Sequence, residues 1–87
     1  MNRSDVSATI FKYVTEQYLQ DCTDAVTCDT PLISGGYVDS FSMVALKMFL
    51  DKTYAITIPN EIATAEAFDS VNRITDLVMA TLHEQAP

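Results

Sequence analysis

The residue best placed to do chemistry in this sequence is Ser40, within the run Gly35-Gly36-Tyr37-Val38-Asp39-Ser40-Phe41-Ser42-Met43. An apolar-periodic segment comes directly after it, which puts Ser40 at the start of a helix. Backbone N–H groups are unpaired there, and the helix dipole favours an anion nearby. A phosphodiester on this hydroxyl would suit that field. The chain also holds a control: Asp69-Ser70-Val71 is a second Asp-Ser pair ahead of an apolar-periodic segment. Such a pair is in the first instance a helix N-cap, and that is how Asp69-Ser70 is read. Ser40 differs in its setting, with a glycine-bearing loop before it and a helix with two apolar sides after it.

Other reactive side chains form no constellation. His83, the single histidine, stands near the far end of the chain and reads as a solvated surface group rather than a general base. There is no glycine-rich phosphate loop, no His-Glu-x-x-His and no nucleophile elbow. Cys22 and Cys28 share a loop. A zinc site needs about four ligands, and cytosolic chains keep their thiols reduced, so both are read as structural or incidental. Neither a metal site nor a catalytic residue is expected.

The elements that must position Ser40 follow from periodicity. Val6, Ile10, Val14 and Tyr18, widened by Phe11 and Tyr13, predict an amphipathic helix over 4–20 with Ser4 or Asp5 at its cap. A long connection, 21–39, is dense in turn formers, and loops of that length are often functional. Leu32 and Ile33 are expected to pin it to the core, and Gly35 and Gly36 to supply positive φ before the next helix. The second helix is expected over 40–53, capped by Asp39 or Ser40. Met43, Leu46 and Leu50, with Phe49 beside them, mark its core face. Phe41, Val44, Ala45 and Met48 make a second apolar strip, which must pack as well or meet a partner.

Tyr54 to Pro59 alternates like a strand but lacks a partner strand, so it is expected as an extended connector. A short helix is expected over 60–66, capped by Asn60. A last helix over 70–84 turns Val71, Ile74, Val78 and Leu82 inward, with Leu77 beside them. The sum is an all-α protein: a four-helix bundle with three longer helices, one short helix and a long loop between the first two.

The 87 residues fit one domain, 1–87, which buries roughly 60–65% of its unfolded surface. That is enough for one modest core and too little for a deep cleft between lobes. No run approaches the roughly 20 apolar residues that cross a membrane. Met1-Asn2-Arg3-Ser4-Asp5 does not lead into a signal peptide, so a cytoplasmic location is expected. The net charge of −7 repels nucleic acid and anionic lipid, and it attracts basic partner surfaces. Acidic charge also keeps a small protein soluble.

Taken together, the landmarks resemble those of the acyl carrier protein superfamily. Its members have Gly-x-x-Asp-Ser-Leu or a related motif at the start of the second helix, where this chain has Gly36-Tyr37-Val38-Asp39-Ser40-Phe41. Ile56-Thr57-Ile58-Pro59 and Ser70-Val71-Asn72-Arg73-Ile74 stand where the family has its Ile-x-Ile-Pro-like connector and the Thr/Ser-Val opening of its last helix. The similarity covers about Ser4 to Leu82. Asp-Ser alone is weak evidence; the ordered set is strong.

The resemblance implies a carrier rather than a catalyst, expected as a monomer. A phosphopantetheinyl transferase, using Mg²⁺ and coenzyme A, would attach 4′-phosphopantetheine to Ser40. The arm's thiol would then hold acyl or aminoacyl groups as thioesters for loading and condensing enzymes. By the same resemblance the second helix is the docking surface, with Phe41, Val44, Ala45 and Met48 giving apolar contact and Asp39 and Asp51 giving charge. Carriers of fatty-acid synthesis usually show several acids on that helix. Here it has Ser42, Ala45, Lys47 and Lys52, and acidic residues gather instead at Asp21, Asp24 and Asp29. That composition is closer to specialised or aminoacyl carriers of lipid, polyketide or nonribosomal pathways. The competing expectation is an unmodified helical interaction module with the same fold.

Overall fold

A computed structural model describes residues 2–19 and 26–85. Asp21, Cys22, Thr23 and Asp24, and Gln20 at the expected end of the first helix, lie outside the described residues. Three helices occur in order: α1 (Arg3–Tyr18), α2 (Ser40–Tyr54) and α3 (Val71–Gln85). No strand occurs among the described residues.

Helix α1 begins earlier than the sequence suggests. Its cap is Asn2 rather than Ser4 or Asp5: the Asn2 backbone is extended, and its side-chain oxygen accepts from the Asp5 N–H at 2.9 Å. Asp5, thereby placed inside the first turn, sets its charge against the positive end of the helix. Val6, Ile10 and Val14 are fully buried, and α1 packs on α3. The Arg3 guanidinium joins the two helices at one end by pairing with Asp76. Helix α2 runs antiparallel to α1. The Tyr18 hydroxyl donates to the Ser42 carbonyl at 3.3 Å, and further along Tyr13 stacks on Phe49 with ring centroids 3.8 Å apart. Burial, and after it a hydrogen bond with Tyr13, pushes the Tyr18 hydroxyl up to about 12, so it stays a donor at neutral pH.

Leu46 and Leu50 carry α2 into the core beside Leu32, Ile58, Phe68, Ile74 and Val78. The inner face of α3 is more polar than expected. Thr75 and Thr81 are buried, while Leu82 is only half-buried. Their hydroxyls donate to the carbonyls one turn back, Thr75 to Val71 at 2.7 Å and Thr81 to Leu77 at 2.8 Å. This satisfaction lets a threonine occupy a core position that apolar periodicity overlooks.

Helix α2 ends at Ala55, whose φ of 53° lies in the left-handed region. The N–H groups of Ala55 and Ile56 both donate to the Asp51 carbonyl, the Ile56 bond at 3.0 Å, which closes the helix end. The connector beyond it, 56–59, is neither helix nor strand. Thr57 exchanges two hydrogen bonds with the Gln85 side chain, at 2.9 and 2.7 Å, fastening it to the end of α3.

The segment expected as a short helix, 60–66, is instead two successive turns. In the first, the Ala63 N–H donates to Pro59 and Asn60 carbonyls at 3.2 and 3.3 Å. The second starts afresh at Thr64, whose hydroxyl oxygen accepts from the Ala67 N–H at 3.1 Å. A threonine side chain that caps a new turn interrupts the helix before it, so three helices rather than four are seen among the described residues.

Leu46 is 0% exposed. Leu46→Ala should therefore cost about 2–5 kcal/mol of stability, measured by urea unfolding, with the folded α-helical spectrum retained. A loss below about 1 kcal/mol would show that the site collapses around the smaller side chain.

Candidate functional site

The loop before α2 is wound around Leu32. Its N–H donates to the Asp69 carbonyl at 2.6 Å, and its own carbonyl accepts from Tyr37 and Val38 at 2.8 and 2.9 Å. Only one of the two glycines answers to positive φ. Gly36 has φ +83°, whereas a Cβ on Gly35 would lie 2.3 Å from the Pro31 carbonyl oxygen. Gly35 is thus a glycine because of close approach, and Gly36 because of its backbone angle.

Val38 is buried and leads into Asp39, the N-cap of α2. The Asp39 carboxylate accepts from the Ser42 N–H at 2.7 Å. That bond, and after it the Ser42 hydroxyl, holds the Asp39 carboxyl below the usual carboxylate range. Ser40 is therefore the first residue inside the helix, and it is exposed. Asp39 already occupies part of the positive helix end, so a phosphodiester on Ser40 would share that end with a carboxylate. Both are exposed, where water screens their repulsion.

The second Asp-Ser pair is shifted by one position. Ser70 itself caps α3, its hydroxyl accepting from the Arg73 N–H at 3.1 Å, and it is 7% exposed. Asp69 does not cap. Its carboxylate accepts from the Ile33 and Ser34 N–H groups and the Ser34 hydroxyl, each at 2.8 Å. Two identical dipeptides thus present their serines differently: Ser40 is an exposed residue, whereas Ser70 is buried and its hydroxyl is consumed by the cap.

Around Ser40 the second strip of α2 stands clear of the core. Phe41 is 87% exposed, Val44 59% and Met48 65%, and Ala45 is exposed as well. On the other side of Val44 a groove of about 310 Å³ opens beside Ser40, walled by Met43, Lys47, Asn60 and Phe68. Asp51 is placed differently from the rest of the expected docking set. It is half-buried, takes the Ile58 N–H at 3.0 Å and pairs with Lys47 at 2.9 Å. Its charge serves the fold of α2 and the connector. Cys28 lies half-buried with Sγ 3.7 Å from the Ser7 hydroxyl, and His83 is exposed.

The binding of the loop by Asp69 was not foreseen. The only sequence signal was redundancy, since Ser70 can cap α3 alone and leaves a neighbouring carboxylate to be explained.

The site thus consists of an exposed serine at the first position of a helix, beside an exposed apolar strip. Two curated relatives are similar to the chain over most of its length. D-alanyl carrier proteins of Streptococcus suis, from strains 98HAH33 and 05ZYH33, are each 28% identical to this chain over 79 residues, covering 91% of it and 98% of their own length. No family model matches the chain. The chain is thus similar to D-alanyl carrier proteins over nearly its whole length and theirs.

Asp39 and Asp69 both have lowered carboxyl pKa values. For Asp69 the causes are the Ser34 N–H and hydroxyl first, then Ile33 and the charge of Arg73. A depressed folded-state value contributes stability that is present above the unfolded value, near pH 3.9 for Asp, and lost as pH falls through the lowered one. Stability should therefore drop below about pH 4. In acid titrations followed by circular dichroism, Asp39→Asn and Asp69→Asn should each flatten that drop; slopes equal to the parent's would contradict it.

Proposed function

We propose that Ser40 carries a 4′-phosphopantetheine arm and that the chain, as a single carrier domain, holds an aminoacyl group on it as a thioester. The observation that supports this most is the register of α2. Asp39 takes the capping role and leaves Ser40 exposed, as approach by a transferase requires. The groove beside Ser40 and the adjoining exposed apolar strip also fit a residue modified and read by other proteins. An aminoacyl cargo is favoured over a fatty acyl one by the relatives' name, D-alanyl carrier protein, and by an α2 with no acid in its first turn. D-alanine is accordingly the first cargo to try.

In the modification, Ser40 Oγ forms a new bond to the phosphorus of coenzyme A that bears pantetheine. The pyrophosphate bond breaks, adenosine bisphosphate leaves, and the hydroxyl proton passes to a base of the transferase. The chain's own part is to present the oxygen. Thereafter the arm supplies the thiol, and tethering gives each partner the cargo at high effective concentration. Phe41, Val44, Ala45 and Met48 form the contact face for the transferase and for loading enzymes, with Asp39 at its margin. The chain works as a non-catalytic monomer in the cytoplasm.

Intact-protein mass spectrometry after incubation with Mg²⁺, coenzyme A and a broad-specificity transferase tests the site. The parent should gain one phosphopantetheine increment and Ser40→Ala none. An unmodified parent, or an adduct on Ser40→Ala, defeats the proposal. For the docking face, Met48→Glu should slow aminoacyl loading at least about tenfold, or about 1.4 kcal/mol, with an unchanged melting temperature. Loading at the parent rate would remove Met48 from the contact face.

A further inference from the structure

We infer that Asp69 is a positioning residue for Ser40, holding the loop 32–38 against the start of α3 so that the backbone before α2 is fixed. The inference rests on the reading of Ser40 as the modified serine. Asp69 receives hydrogen bonds from three consecutive loop residues: its carbonyl from Leu32, its carboxylate from Ile33 and from Ser34. Leu32 passes the restraint on, because its carbonyl accepts the N–H groups of Tyr37 and Val38. Between these points the chain has little slack. The Gly36 N–H donates to the Ile33 carbonyl at 3.1 Å, and Gly35 lies too close to Pro31 for any side chain. Val38 adjoins Asp39, so the constraint that starts at Asp69 ends next to the cap of the modified helix.

The carboxylate is not spent on capping α3, since Ser70 caps that helix, although Arg73 of α3 adds a favourable charge nearby. The Asp39 side chain bonds forward to Ser42, not back into the loop. Removing the Asp69 carboxylate should therefore loosen 32–38 while α2 itself stays capped. In such a variant only a fraction of molecules presents the loop that a transferase must fit. The apparent affinity falls by that fraction, while the rate of the bound complex is preserved.

Two measurements on the full chain test this. In amide hydrogen exchange by NMR, Tyr37 and Val38 should lose most of their protection in Asp69→Ala, as expected for a loop that is open in about nine molecules of ten. Neither amide touches the Asp69 carboxylate. The Met43 amide, which donates to the Asp39 carbonyl at 3.1 Å, should exchange as before. In transferase kinetics with coenzyme A, Asp69→Ala should raise the KM for the carrier about tenfold at unchanged kcat. Asp69→Asn, which still offers an oxygen to the Ile33 and Ser34 amides, should fall between it and the parent. If Asp69→Ala does not fold, Asp69→Asn and the exposed Ser34→Ala must show the same changes in smaller measure. Parental exchange at Tyr37 and Val38, a parental KM, or a lowered kcat at unchanged KM in the folded variants overturns the inference while leaving Ser40 as the site. A parent chain that takes no adduct sinks the Ser40 reading, and the positioning role with it.

Discussion

The backbone of Leu32 is the junction on which the presentation of the site depends. One peptide unit donates to Asp69 and the next accepts from Tyr37 and Val38, while the side chain between them is fully buried. A loop of irregular backbone has no ladder to satisfy its polar groups. Here a single buried leucine brings them into range of partners from the start of α3 and from the loop's own far end. Burial of an apolar side chain and pairing of backbone dipoles thus act at the same residue, and neither would hold the loop as firmly alone.

That junction explains why a helix of ordinary propensity starts where it does. Helix boundaries are soft by a residue or two, and an Asp-Ser dipeptide can cap with either member. At α2 the loop delivers Asp39 to the capping position and leaves Ser40 one step inside. At α3 the preceding turns deliver Ser70 instead, and Asp69 is left facing the loop. Chemical identity is the same in both cases. Backbone register decides which serine meets solvent, and tertiary bonds set that register.

Much of the architecture was legible from periodicity. The stripes Val6-Ile10-Val14 and Leu46-Leu50 are core, and the strip Phe41-Val44-Met48 is exposed, because apolar side chains at helical spacing can face only a few directions. Ser40 could be singled out from its neighbours in sequence. What escaped were features decided by hydrogen bonds across long separations or by local competition. Thr64 broke the expected short helix by capping a turn. Thr75 and Thr81 entered the core by bonding backward. Asp51 looked like surface charge, yet it spends its carboxylate on Ile58 and Lys47. In each case a polar side chain had several partners available, and composition does not rank them.

The Lys47–Asp51 pair has a wider effect. One turn apart and each half-buried, the two charges cancel on the very helix that carries the apolar strip, although the chain as a whole bears −7. Long-range attraction between oppositely charged proteins fades as ions are added, because the Debye length shrinks. Counted with its cap, α2 sets Asp39 and Asp51 against Lys47 and Lys52, and a helix so balanced relies on short-range burial instead. Recognition through this face would thus be nearly indifferent to ionic strength, and the choice among rival enzymes would be made by shape at close contact rather than by steering from a distance.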